Sequence, residues 1–256
     1  MTPCIESLRK DKSMRDYKAE FEGRVAFIKD LVKNSGVSGI VFGNSGGKDC
    51  ALVGILCKAA CDNTLSVIMP CASKRNYEAD TNDANALVNQ YGIECRTVDL
   101  TAVREAHLKE LEKVCTINDM ALTNLAPRLR MTTLYAIGAA ENRLVAGTGN
   151  RSERHMGYFT KWGDGACDFN PISDLTATEV FEFLEYLKAP RCIIDKAPSA
   201  GLYDGQTDEQ DMGVTYKAID TYLLTGEVNE ADKAIIDRYH NRSEHKRRPI
   251  TMYKYD

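Results

Sequence analysis

The 256-residue sequence has no Cys-x-x-Cys pair, no apolar leader at its start, no excess of positive charge and no stretch approaching the roughly 20 apolar residues of a membrane-spanning helix. Each absence excludes something. Nine cysteines are present but scattered, and the closest two, Cys57 and Cys61, fall at helical spacing inside an apolar run. They read as free thiols, not as a disulfide framework, which suits a reducing, cytoplasmic setting. The opening segment MTPCIESLRKDKSMRDYKAE is charged, so no signal peptide is expected. A formal net charge of −4 argues against a chain held on nucleic acid or membrane by a general positive field, and it points to small molecules as partners. Internal repeats and low-complexity tracts are also missing.

With 43% hydrophobic residues, a chain of this length can bury one substantial core, and a single domain over residues 1–256 is the expectation. Residues 17–34 place Phe21, Val25, Ile28, Leu31 and Val32 on one helical stripe, which Gly36 ends. Four short runs rich in β-branched residues follow: VSGIVFG, TLSVIMP, IECRTVDL and RLVAGTG. Helix-length segments separate the first three, so the pattern is α/β, a Rossmann-like parallel sheet flanked by helices. Between the third and fourth runs the chain reads as helical after Pro127, with small residues at Ala136, Gly138, Ala139 and Ala140 that suit a subunit interface or a helix packed within the chain. Residues 151–170, rich in glycine, aromatics and charge, read as a long functional loop. TATEVFEFLEYLKAP and VTYKAIDTYLLTG read as amphipathic helices.

The stretch GNSGGKDC, residues 43–50, lies where the first strand should turn into a helix. Consecutive backbone N–H groups in such a turn can face one concavity, and the positive end of the helix that follows favours phosphate oxygens. It is not a Walker A loop, because Lys48 is followed by Asp49 and not by a hydroxyl residue, and it is not G-x-G-x-x-G. The expected donors are the amides of residues 45–47. Asp49, one turn into the helix, would be repelled by a polyphosphate unless a divalent cation lay between them, so it predicts Mg²⁺. The bland alternative is a glycine-rich turn with Asp49 as a helix N-terminal charge.

This turn resembles the SGGxDS pyrophosphate loop of the N-type ATP pyrophosphatases, with Cys50 where most members have serine; a thiol is the weaker donor. Further stretches resemble the ammonia-dependent NAD synthetases over about residues 20–248: APRLRM (126–131), VAGTGNRSE (145–153), GYFTKWGDGACDFNP (157–171), KAPSAGL (196–202), QTDEQDMGVTYKAIDTYL (206–223) and SEHKRRP (243–249). The resemblance implies an adenine nucleotide alpha hydrolase-like fold and a ligase that uses ATP as co-substrate. Such an enzyme adenylates the carboxylate of deamido-NAD, releases pyrophosphate, and lets ammonia displace AMP. It also implies a homodimer and a chain without a glutaminase domain.

Carried over residue by residue, the resemblance makes Asp49 and Glu153 the magnesium ligands and catalytic acids. It assigns ATP contacts to Gly43, Asn44, Ser45, Gly46, Gly47, Lys48, Asp49, Cys50, Thr148 and Ser199, and deamido-NAD contacts to Arg128, Lys161, Asp168, His245 and Lys246. Asp168 could accept from ribose hydroxyls or pair with the pyridinium. Tyr158, Phe159 and Trp162 could stack on the nicotinate ring or anchor the loop. Two departures stand out. Ala177 lies where the family often has an ATP-binding lysine, and the turn before DTNDA is long, with Met69 where an arginine is common; Lys74 and Arg75 are the candidates to restore the charge. The rival readings are another N-type ATP pyrophosphatase with a different acceptor and a non-catalytic adenine-nucleotide-binding module.

Overall fold

The apolar, β-branched run from Gly39 to Gly43 forms strand β1, and its residues 39–42 are buried because helices cover both faces of the sheet. The computed structural model describes residues 15–71, 75–196 and 207–253. Lys74 and Ser199 lie outside these, and Arg75 is described in its backbone alone. Helix α1 (Tyr17–Ser35) precedes β1 and starts on Asp16, whose carboxylate accepts from the N–H groups of Lys18 and Ala19. After β1 come α2 (Lys48–Ala60), β2 (Thr64–Ile68), α3 (Arg75–Tyr91) and β3 (Glu94–Thr97). Helices α4 (Thr101–Leu111) and α5 (Asp119–Glu141) lead to β4 (Arg143–Ala146). The rest is helical: α6 (Arg151–Met156), α7 (Ala177–Tyr186), α8 (Arg191–Ile194), α9 (Asp208–Met212), α10 (Tyr216–Thr225), α11 (Glu230–Arg242) and α12 (Glu244–Arg247).

Among the described residues the sheet has the order β3-β2-β1-β4 and is parallel throughout, with Val41 opposite Leu65 on one side and Val145 on the other. The chain winds outward from β1 to β3, then returns to place β4 against β1's other edge. That reversal opens a crevice at the carboxyl ends of β1 and β4, where open α/β sheets bind ligands. Alternation along β1 divides the core: Ile40 and Phe42 pack with α1, α2 and α7, whereas Val41 packs with Leu65, Val67, Val145 and residues Met131 and Leu134 of α5. A third apolar cluster joins α6, α9, α10 and α11 through Met156, Met212, Ile219 and Ile236.

Two sequence expectations are corrected. The helix read as starting after Pro127 begins at Asp119, because the Asn118 side chain caps it by accepting from Ala121 N–H at 2.9 Å; the proline sits inside, at the cost of one intrahelical bond. The segment 151–170 is not loop throughout, since α6 takes its first six residues.

Gly54 in α2 faces the buried ring of Phe42, and a Cβ placed there would lie 2.7 Å from the ring. Alanine in a helix interior ordinarily stabilises by about 0.5–1 kcal/mol over glycine. Overpacking against an immobile core ring should outweigh that gain, so Gly54→Ala is expected to destabilise by about 1–3 kcal/mol. Chemical denaturation checks the sign; a more stable variant contradicts this account of the core.

Candidate functional site

At the end of β1 the chain makes its phosphate-type turn around Asn44. This side chain is 3% exposed; its amide donates to Ser66 Oγ at 3.1 Å, and its carbonyl oxygen accepts from Gly46 N–H at 3.1 Å. Gly46 has φ +75, and a Cβ there would lie 2.4 Å from the Asp80 carbonyl oxygen, so both backbone conformation and α3 require glycine. The expectation that amides 45–47 all face a ligand therefore fails at Gly46, whose N–H is committed to Asn44. Cys50 also turns inward: its thiol donates to the Gly47 carbonyl at 3.0 Å, and burial pushes its pKa up, against use as a nucleophile.

Asp49 and Lys48 open α2, where helix N–H groups have no intrahelical acceptor. Glu153 comes from α6, just beyond β4. It is placed by a capping box: Asn150 Oδ1 accepts from Glu153 N–H at 3.0 Å, and Glu153 Oε2 accepts from Asn150 N–H at 3.1 Å. Asn150 Nδ2 then donates to Asp49 Oδ1 at 2.9 Å and ties the two strand ends together. Helix α6 is fixed from behind by the buried Asp220, whose carboxylate accepts from the hydroxyl of Ser152 and from Thr178 N–H at 2.8 Å.

Between the two acids lies the ammonium of Lys48, 2.5 Å from Asp49 Oδ2 and 4.0 Å from Glu153 Oε1. Burial alone would lower its pKa, but the charges of Asp49 and Glu153 outweigh burial and hold it above the ordinary lysine range. Burial, reinforced by Asp49, pushes the Glu153 carboxyl well above the usual carboxylate range. The ammonium also faces the rings of Tyr216 and Phe181 at 5.5 and 5.7 Å. Phe181 is one turn along α7 from Ala177, so Lys48 brings positive charge beside that helix.

A cavity of about 920 Å³ opens over this cluster. Gly43, Asn44, Ser45, Gly47, Lys48, Asp49 and Cys50 line one end, together with Thr148 and Glu153. Arg128, Lys161, His245 and Lys246 line the other. There Lys161 Nζ donates to His245 O at 2.8 Å, Lys246 Nζ donates to Gly157 O at 2.8 Å and Phe159 O at 2.7 Å, and Arg128 Nε reaches Lys161 O at 3.3 Å. Asp168 is not among the lining residues; its carboxylate accepts from Val145 N–H at 2.7 Å and Tyr135 Oη at 3.2 Å on the exposed side of β4. Sequence reasoning missed Asn150, although N-x-x-E opening a helix is a readable capping signal. It also missed the buried Asp208 and Tyr216, hydrogen-bonded at 3.0 Å, for which no spacing rule gives notice.

A parallel sheet with a glycine-rich turn at its switch point, a facing acid pair and a large cavity above it make this an open α/β protein with a site where such sheets hold ligands. Its sequence matches the NAD synthase family over residues 20–255, and the chain belongs to that family. An NH(3)-dependent NAD(+) synthetase of Carboxydothermus hydrogenoformans is 45% identical, covering 91% of this chain and 96% of its own. A solved structure described as NMN synthetase from Francisella tularensis is similar at TM-score 0.88 and 38% identity, over 94% of this chain and all of the other. NH3-dependent NAD synthetase from Campylobacter jejuni is similar at TM-score 0.78 and 30% identity, again over 94% of this chain.

Because Asn150 serves two strand ends at once, Asn150→Ala should cost about 1–2 kcal/mol, while Asn150→Ser, which keeps a capping oxygen, should cost less. Thermal unfolding of both variants measures this, and equal midpoints would remove the capping argument.

Proposed function

We propose that the protein is an ammonia-dependent ligase that amidates deamido-NAD at the expense of ATP, forming NAD, AMP and pyrophosphate through an acyl-adenylate. The observation that carries this reading is the meeting of Asp49 and Glu153, from separate strand ends, beneath a cavity that also reaches Arg128 and Lys161. Adenylation builds negative charge on phosphate oxygens, so its stabilisers should be fixed positive groups and N–H donors, and no protein nucleophile is needed. The first turn of α2 supplies such donors, and Ser45, Lys48 and Thr148, which line the same end of the cavity, suit a triphosphate. Ser199 remains an assignment from resemblance. Arg128 and Lys161 suit the pyrophosphate and carboxylate of a dinucleotide, with His245 and Lys246 closing the same wall.

The donor set fits magnesium: both acids offer hard oxygens, and the Lys48 ammonium already stands between them as a cation. Among the described residues no three metal-binding side chains converge, so Asp49 and Glu153 would hold the ion while phosphate and water complete its shell. Bound there, Mg²⁺ supplies charge neutralisation for the departing pyrophosphate. Asp168, outside the cavity and beside Tyr135 of α5, fits a substrate site that a second copy completes, which is our reason for proposing a homodimer. The 256 residues are read as one synthetase unit. A cytoplasmic setting accords with the free cysteines among the described residues, where no helix is long and apolar enough to cross a membrane.

The likeness to the Francisella tularensis NMN synthetase favours a second reading in which the acceptor is the corresponding acid mononucleotide. One assay separates them: ATP, Mg²⁺ and ammonium are supplied with deamido-NAD or with nicotinate mononucleotide, and amide and AMP are quantified. Deamido-NAD is expected to give the higher kcat/KM, and the reverse order assigns the mononucleotide. ADP in place of AMP overturns both. Asp49→Ala and Glu153→Ala should each lower kcat by roughly 10²–10³-fold, the scale for losing an electrostatic stabiliser.

A further inference from the structure

Lys48 is more deeply placed than a phosphate-binding lysine needs to be. Its side chain is 6% exposed, enclosed by Asp49, Glu153 and the rings of Tyr216 and Phe181, with the buried Asp208 adding to the negative field. Three of the four carboxylate oxygens of the acid pair already accept hydrogen bonds, and the fourth faces the ammonium. Asp49 Oδ2 holds the ammonium, Asp49 Oδ1 accepts from Asn150 Nδ2, Glu153 Oε2 accepts from Asn150 N–H, and Glu153 Oε1 faces the ammonium at 4.0 Å. A divalent cation and this ammonium therefore compete for the same oxygens.

Without a counter-ion, two half-buried acids at adjacent strand ends would repel each other with little water to screen them. The ammonium removes that repulsion, but it leaves Asp49 at least cost when another anion receives it, since a lysine side chain this enclosed is costly without a partner. The cavity above provides room for such an anion, and the phosphate-type turn lies directly before Lys48 in the chain.

We propose that Lys48 is a tethered counter-ion that keeps the divalent site closed in the free enzyme and transfers to the polyphosphate when nucleotide arrives. Metal and nucleotide affinities are then coupled through one side chain, and by linkage each raises the other by the same factor. This rests on the reading that Asp49 and Glu153 hold the divalent cation.

The test uses Mn²⁺ as probe, followed by electron paramagnetic resonance, with and without α,β-methylene-ATP, on wild-type protein and on Lys48→Met, Lys48→Gln and Lys48→Arg. Wild type should bind Mn²⁺ weakly alone and tightly with the analogue. Both neutral variants should bind Mn²⁺ alone about 10-fold more tightly than wild type, and the factor by which the analogue raises Mn²⁺ affinity should fall about 10-fold. Lys48→Arg should keep that factor near the wild-type value. A lysine that merely packs the pocket would leave Mn²⁺ affinity unchanged or weaker in the neutral variants, and that result overturns the proposal. Wild type binding Mn²⁺ equally well with and without the analogue overturns it too, without any variant. No Mn²⁺ binding in wild type even with the analogue removes the metal reading itself, which separates that failure from a failure of the counter-ion role alone.

Discussion

The pairing of β1 with β4, strands far apart in sequence, is the constraint on which the site depends. It puts the turn after Gly43 beside the segment that leads into α6, so that Asp49 and Glu153, each on the first turn of its own helix, face one another. The register is held by burial on both faces: a slip of one residue would turn Ile40 and Phe42 toward the α5 side and Val41 toward α2. Packing of an entirely apolar kind thus fixes the position of charges that touch none of it.

The polar half of the site is arranged around Asn150. One side chain caps α6, is capped in return by Glu153, and donates to Asp49. Half-buried acids are costly unless their oxygens find donors, and here amide, backbone and ammonium donors serve three of the four, with Glu153 Oε1 facing the ammonium at 4.0 Å. Asp220 does similar service behind α6, holding Ser152 and Thr178 to one carboxylate. The order of these groups explains why so short a helix can be a fixed platform, since six residues have little helical stability of their own.

Much of this was legible in the sequence because it is local. The four strands, the turn GNSGGKDC and the amphipathic helices of TATEVFEFLEYLKAP and VTYKAIDTYLLTG follow from residue type and period, and the observed elements agree with them. Pro127 misled because proline reads as a helix boundary, whereas Asn118 supplies a stronger start upstream. What was not legible is the convergence of distant residues. Nothing near Lys48 announces that Tyr216 and Phe181 will close over it, and nothing in GYFTKWGDGACDF says that Asp168 will bond to β4's own backbone. The use of Gly46 N–H by Asn44 was also hidden, because a glycine-rich turn announces available amides but not which of them its own side chains will claim.

The wall opposite the acid pair is built from two segments that exchange lysines: Lys161 of the loop reaches the tail's His245 carbonyl, and Lys246 of the tail reaches two loop carbonyls. Each segment has its own tie to the body, Thr160 to Asn124 at 2.7 Å for the loop and Arg247 to His155 O at 3.2 Å for the tail, and the lysines join the two. Moving either one outward would break the lysine contacts it makes with the other, so the width of that end of the cavity is tied to the seat of the short helix α12.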